Sequence, residues 1–132
     1  MTNQEVVEVL VPKKSPARLA RRVTGNNGAL LDPSGIDSLS YRVTDRAKDP
    51  PTTIVPMTPL SPVSNFIFPN LLTDPNWKRD QIGYNVLIPI DGTVTNQPVG
   101  HTLRVELWIG PVEDPEFPVL WDLVIQPESY GP

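Results

Sequence analysis

The chain has no cysteine and a single histidine, His101. Without cysteine it has no disulfide framework, no thiolate metal site and no cysteine nucleophile, and it is compatible with a reducing compartment without requiring one. With one imidazole, no histidine pair is available to share a metal ion. Long apolar runs are also missing, so no segment is long enough to span a bilayer. The stretch from Met1 to Pro12 lacks a basic start and carries Glu5 and Glu8 among its apolar residues, which argues against a cleaved signal peptide. Neither a Gly-x-Ser-x-Gly elbow nor a glycine-rich phosphate loop occurs. Catalysis is therefore not expected, and no cofactor is implied.

Proline, in contrast, is abundant, with 17 in 132 residues. The apolar fraction of 39% is too high for a disordered proline-rich tract, so these prolines punctuate a folded domain. Between them lie stretches that alternate with period two. In Gly100 to Gly110, Leu103, Val105, Leu107 and Ile109 fall on one face, while Thr102, Arg104, Glu106 and Trp108 fall on the other. Asp37 to Asp45 repeats the pattern with Leu39, Tyr41 and Val43, and Gly83 to Ile90 with Tyr84, Val86, Ile88 and Ile90. Val119 to Ile125 does so with Val119, Trp121, Leu123 and Ile125, but its opposite face, Leu120, Asp122 and Val124, is only partly polar. That mixture predicts partial cover by the N-terminal segment or by another subunit.

Weaker strands are expected at Val6 to Val11, Arg18 to Thr24, Thr52 to Pro56 and Ser64 to Phe68. The second should lie at a sheet edge, because Arg21 shares a face with Leu19 and Val23. In the last, Phe66 and Phe68 are core candidates. Asp74 to Asp80 reads as one helical turn or an ordered loop capped by Asp74. Six to eight strands in a chain of this size predict one all-β domain, an antiparallel immunoglobulin-like β-sandwich before a jelly roll. The boundaries read as an extended N-terminal arm over 1–17, the sandwich over 18–126 and a C-terminal tail over 127–132.

Charge is divided unevenly along the chain. Residues 1–48 carry eight basic and five acidic side chains, whereas residues 49–132 carry three and ten. Lys13, Lys14, Arg18, Arg21 and Arg22 form a basic segment without an acid among them. On an acidic body this points to a protein partner rather than nucleic acid, or simply to a solvated strand edge. Glu113, Asp114 and Glu116 are the densest carboxylate cluster. Their spacing matches no calcium loop, so a solvated acidic turn is the plainer reading, but the cluster also suits docking of the basic segment of a neighbouring copy. Val7, Val9 and Val11, with Val6 and Leu10, would supply apolar contacts if the arm clips onto a neighbour by strand addition. Trp121 is expected in the core. Trp77 and Trp108 read either as packed within the molecule or as interface anchors, and such aromatics also suit a receptor- or glycan-binding module. His101, beside Gly100 at the mouth of a strand, reads as a turn residue.

The segments Ile36 to Asp45, Ile82 to Leu87 and Gly100 to Ile109 resemble those of the small immunoglobulin-like virion proteins of tailed bacteriophages, a likeness that covers most of residues 18–126. It rests on strand and turn patterns rather than on a chemical signature. The resemblance implies a structural part of the capsid, neck or tail, without catalytic residues. It implies other virion subunits or further copies of the chain as partners, no membrane, and synthesis in the host cytoplasm before incorporation into the particle.

Overall fold

The computed structural model describes residues 6–24, 30–47, 50–73, 83–112 and 115–127. Among them are eight strands: β1 (Val6–Pro12), β2 (Ala17–Arg21), β3 (Ile36–Asp45), β4 (Thr52–Pro59), β5 (Ile67–Leu72), β6 (Tyr84–Ile90), β7 (Thr102–Pro111) and β8 (Phe117–Gln126). They form a five-stranded sheet ordered β1-β8-β7-β3-β4 and a three-stranded sheet ordered β2-β6-β5. The β1–β8 pair is parallel and the remaining pairs are antiparallel. The architecture is all-β and sandwich-like, with one core built from the inward faces of both sheets.

The period-two pattern accounts for the centre of the larger sheet. Leu103, Val105, Leu107 and Ile109 of β7 are fully buried, and each lies in register with an inward residue of β8 and of β3. From β8 come Val119, Trp121, Leu123 and Ile125, all without solvent exposure. The smaller sheet contributes Leu19 of β2, Ile67 of β5, and Tyr84, Val86, Ile88 and Ile90 of β6. Each buried Leu, Ile or Val stabilises the fold by roughly 1.5 to 3 kcal/mol relative to an exposed one. Trp121 is the largest fully buried side chain, and its indole N–H has no hydrogen-bond partner among the described residues.

Three strands differ from the sequence expectation. β2 ends at Arg21, and beyond it only an isolated bridge between Thr24 and Leu30 continues the pairing. β4 runs on through Pro56 to Pro59, which it can do because it lies at the sheet edge, where a missing N–H breaks no ladder bond. The third is the segment expected as a strand over Ser64 to Phe68. There Val63–Asn65 forms a turn of 3-10 helix and β5 begins only at Ile67. That turn moves the alternation by one residue, so Ile67 is fully buried and Phe66 and Phe68 are only half-buried. The helical turn expected over 74–80 lies outside the described residues.

The segment read as an arm is tied down over residues 6–12. Val6 to Pro12 run beside Leu120 to Gln126 of the same chain. The connection to β2 then crosses between the sheets: Lys14 adopts φ +70°, Lys13 N–H donates to the Gln126 carbonyl (2.9 Å), and the hydroxyl of buried Thr95 donates to the Ser15 carbonyl (2.6 Å).

Gly83, just before β6, has φ +109°, and a Cβ built there would collide with the Leu72 carbonyl oxygen. Gly83→Ala combines a conformation unfavourable to L side chains with a clash against backbone, so it should cost at least about 2 kcal/mol. Thermal unfolding of the variant measures this, and an unchanged midpoint would mean that the turn is built differently.

Candidate interaction surface

Of the candidate residues, Trp108, Val6 and Leu10 share the outward face of the five-stranded sheet. The registers set out its rows. Val6, Leu120, Glu106 and Arg42 form one row; Glu8, Asp122, Arg104 and Thr44 the next; Leu10, Val124 and Thr102 the third. Pro118, Trp108 and Ser40 form a fourth row toward the opposite end.

Two ion pairs cross this face. Arg42 Nη2 lies 2.8 Å from both Glu106 carboxylate oxygens, and its Nε lies 3.2 Å from Oε2. Arg104 Nε and Nη2 reach the two oxygens of Asp122 at 2.5 and 3.2 Å. The hydrogen bond to Asp122, aided by the charges of Asp122 and Glu106, raises the Arg104 pKa above its ordinary value despite partial burial. Trp108 Nε1 donates to Glu106 Oε1 at 3.1 Å, so the half-buried indole lies beside the Arg42–Glu106 pair. Arg42, Glu106, Arg104 and Asp122 are thus matched within the face, and large apolar side chains are exposed at its margins, at β1 and at Met57 of β4. Val6 is 38% and Leu10 63% exposed. The partly apolar side of β8 is therefore not covered by β1. Because β1 lies beside β8 in the same sheet, Val6 and Leu10 extend the Leu120 and Val124 surface.

The basic segment divides once it is folded. Lys14, Arg18 and Arg22 are exposed and Lys13 is half-buried, but Arg21 is only 4% exposed. Alternation places Arg21 on the inward face of β2 with Ala17 and Leu19, and its Nη1 donates to the Leu120 carbonyl of β8, 3.3 Å away in the other sheet. Arg21 therefore joins the two sheets and is not available to an outside partner. Arg22 Nη1 donates to the Gly83 carbonyl at 3.1 Å. Val7, Val9 and Val11 likewise turn inward: Val11 belongs to the buried core, and Val7 and Val9 pack against it. Of the acidic cluster, Glu116 is exposed, while Glu113 and Asp114 lie outside the described residues, as does Trp77.

Two polar constellations were missed in the sequence. Asp45 ends β3 on its inward face and is 1% exposed. Its Oδ2 lies 2.8 Å from His101 Nδ1, and its Oδ1 accepts from the Ala47 N–H at 3.0 Å. The pair buckles the end of β3 to the start of β7. An acid in phase with Leu39, Tyr41 and Val43 was the available signal, since a buried carboxylate requires partners. The second is Asn85, fully buried in β6, whose side-chain amide accepts from Val23 N–H at 2.7 Å and donates to Val23 carbonyl at 2.9 Å. It continues the β2 pairing where the backbone ladder stops, and nothing in the local sequence marks it.

Among the described residues no group of three or more His, Asp or Glu side chains is arranged to hold a metal ion, and no helix is long and apolar enough to cross a membrane. No protein-family model, curated protein or solved structure matches the chain.

Proposed function

We propose that this chain is a non-enzymatic structural protein of a tailed-bacteriophage virion. In this reading it is an immunoglobulin-like β-sandwich that serves as capsid cement or decoration, or as a neck component, by adhering to neighbouring subunits. The observation that carries the proposal is strand order. With β2 as strand B, β6 as E and β5 as D, the small sheet has the B-E-D order. With β8, β7, β3 and β4 as G, F, C and C′, the large sheet has the order of a variable-type domain. The strand and turn patterns that resemble phage virion proteins fall on β3, β6 and β7 of this arrangement. An adhesive role also suits the outward face, which two ion pairs cross and whose β1 margin exposes Val6 and Leu10. The work of such a module is to present edges and faces, which requires no reactive group.

Quantitative mass spectrometry of purified particles from the source tests the reading. Copy numbers close to those of the major shell protein indicate cement or decoration, and a ring-sized minority indicates the neck or tail. Absence from particles would remove the virion reading and leave the recognition-module alternative, for which loss of glycan binding on Trp108→Ala is the corresponding measurement.

A further inference from the structure

Three of the four sheet edges are interrupted by proline or cut short, which discourages the addition of another strand, whereas β1 is longer than β2 and carries only the charge of Glu8. β4 contains Pro56 and Pro59 and pairs with β3 through irregular register. β5 contains Pro69, and β2 is five residues long, follows Pro16 and exposes Arg18. β1 reads Val-Val-Glu-Val-Leu-Val before Pro12, without an interior proline or lysine, and among the described residues no strand lies on its far side.

The hydrogen-bonding groups of that edge can be assigned. Lys13 N–H donates to the Gln126 carbonyl of β8. Because the backbone groups of successive strand residues point to opposite sides, Val7, Val9 and Val11 are the residues bonded to β8. The N–H and C=O groups of Val6, Glu8 and Leu10 then point outward along the open edge.

We propose that β1 of one copy pairs antiparallel with β1 of a second copy, about a two-fold axis at Val9. The register is self-complementary. Val9 faces Val9, Val7 faces Val11, and Glu8 faces Leu10 as a doubly hydrogen-bonded pair, twice by symmetry. It uses the whole strand from Val6 to Pro12 and keeps the two Glu8 carboxylates from lying directly opposite each other. A register centred on Glu8 would set these like charges face to face, and one centred on Leu10 would shorten the overlap. The interface is isologous, as a two-fold dimer requires, and joins the two five-stranded sheets into one of ten. The inference deepens the adhesive reading above and rests on it for its biological purpose, although it is testable on the isolated protein.

The purified full chain should sediment as a dimer. Leu10→Pro removes an outward N–H and leaves the β8 ladder intact, so the variant should remain folded while its dimer dissociation constant rises at least about 100-fold; Leu10→Lys should act in the same direction. The absence of native cysteine makes Val9→Cys a register probe. A non-hydrogen-bonded antiparallel pair brings Cα atoms to about 4.5 Å, within disulfide reach, whereas the diagonal Glu8 pair lies beyond about 7 Å. Val9→Cys should give a disulfide-linked dimer on mild oxidation, and Glu8→Cys should not. A monomer at all concentrations, a dimer indifferent to Leu10→Pro, or cross-linking through Glu8→Cys in place of Val9→Cys would each overturn the proposal. Particle abundance is measured separately, so a monomer that is nonetheless present in virions would refute the dimer alone.

Discussion

Arg21→Glu is expected to unfold the domain or lower its melting midpoint by more than about 10 °C, whereas Arg22→Glu, one residue away, should shift it by only a few degrees. Arg21 is 4% exposed and donates across the sandwich to the Leu120 carbonyl. Reversing its charge leaves a carboxylate facing a carbonyl oxygen in the interior. Uncompensated buried charges cost on the order of 3 to 5 kcal/mol, a large part of the 5 to 15 kcal/mol that stabilises a typical domain. Arg22 is exposed, and losing its hydrogen bond to the Gly83 carbonyl should cost about 1 kcal/mol. Arg21→Met keeps most of the apolar stem and introduces no charge, so it should recover much of the loss. Thermal unfolding of the three variants decides the matter. Equal midpoints for Arg21→Glu and Arg22→Glu would mean that the inward face of β2 is misassigned. The contrast also bears on assembly: a charge-reversal experiment meant to probe docking must use Lys14, Arg18 and Arg22, because any defect in Arg21→Glu would report folding.

Asn85→Leu should be the second severe substitution. The Asn85 side chain satisfies both the N–H and the carbonyl of Val23, which is itself fully buried. Leucine is close in volume but can pair with neither group: the Val23 carbonyl keeps only the long contact from the Leu31 N–H at 3.5 Å, and the buried N–H left without a partner costs about 1 to 3 kcal/mol. One orphaned N–H and one lost hydrogen bond give an expected destabilisation of roughly 2 to 4 kcal/mol, read from the denaturant midpoint at unchanged slope. Asn85→Asp separates the two bonds, because a carboxylate can still accept from the Val23 N–H but cannot donate to its carbonyl. It too should be destabilising. A neutral Asn85→Leu would show that the end of β2 is held by other contacts.

These two residues mark the limit of what alternation reveals. The pattern in β3, β6, β7 and β8 was legible because a half-buried strand must place apolar residues on every second position, and those positions are buried apart from the half-buried Tyr41, with Asn85 buried out of phase. The edge position of β2 was legible from the same rule, since a basic residue in phase with Leu19 and Val23 weakens the core face. What that phase also meant was less obvious. Its charge groups Arg21 with a basic surface, although its own alternation with Leu19 turns it inward. Similarly, Phe66 and Phe68 share one face of the strand expected over Ser64 to Phe68, whereas the turn at Val63–Asn65 moves the burial to Ile67. The Asp45–His101 contact joins residues 56 apart in sequence, and Asn85 reaches Val23 across 62. Partners this remote leave no local periodic trace.

By itself, then, the sequence determined the class of the domain, its principal strands, which face of each of them is dry, and the absence of any thiol chemistry. Tertiary structure decided the rest. It showed that residues 6–12 run parallel to β8 of their own chain, that the basic segment is split between surface and interior, that two ion pairs cross the outward face, and that among the described residues β1 lies at a sheet edge. The physical reason is one of range. Periodicity is imposed on each strand by its own backbone and by the boundary between core and water, so it can be read a few residues at a time. Strand order, edge exposure and the partners of buried polar groups depend on segments far apart in the chain, and they exist only once both sheets have closed on the core.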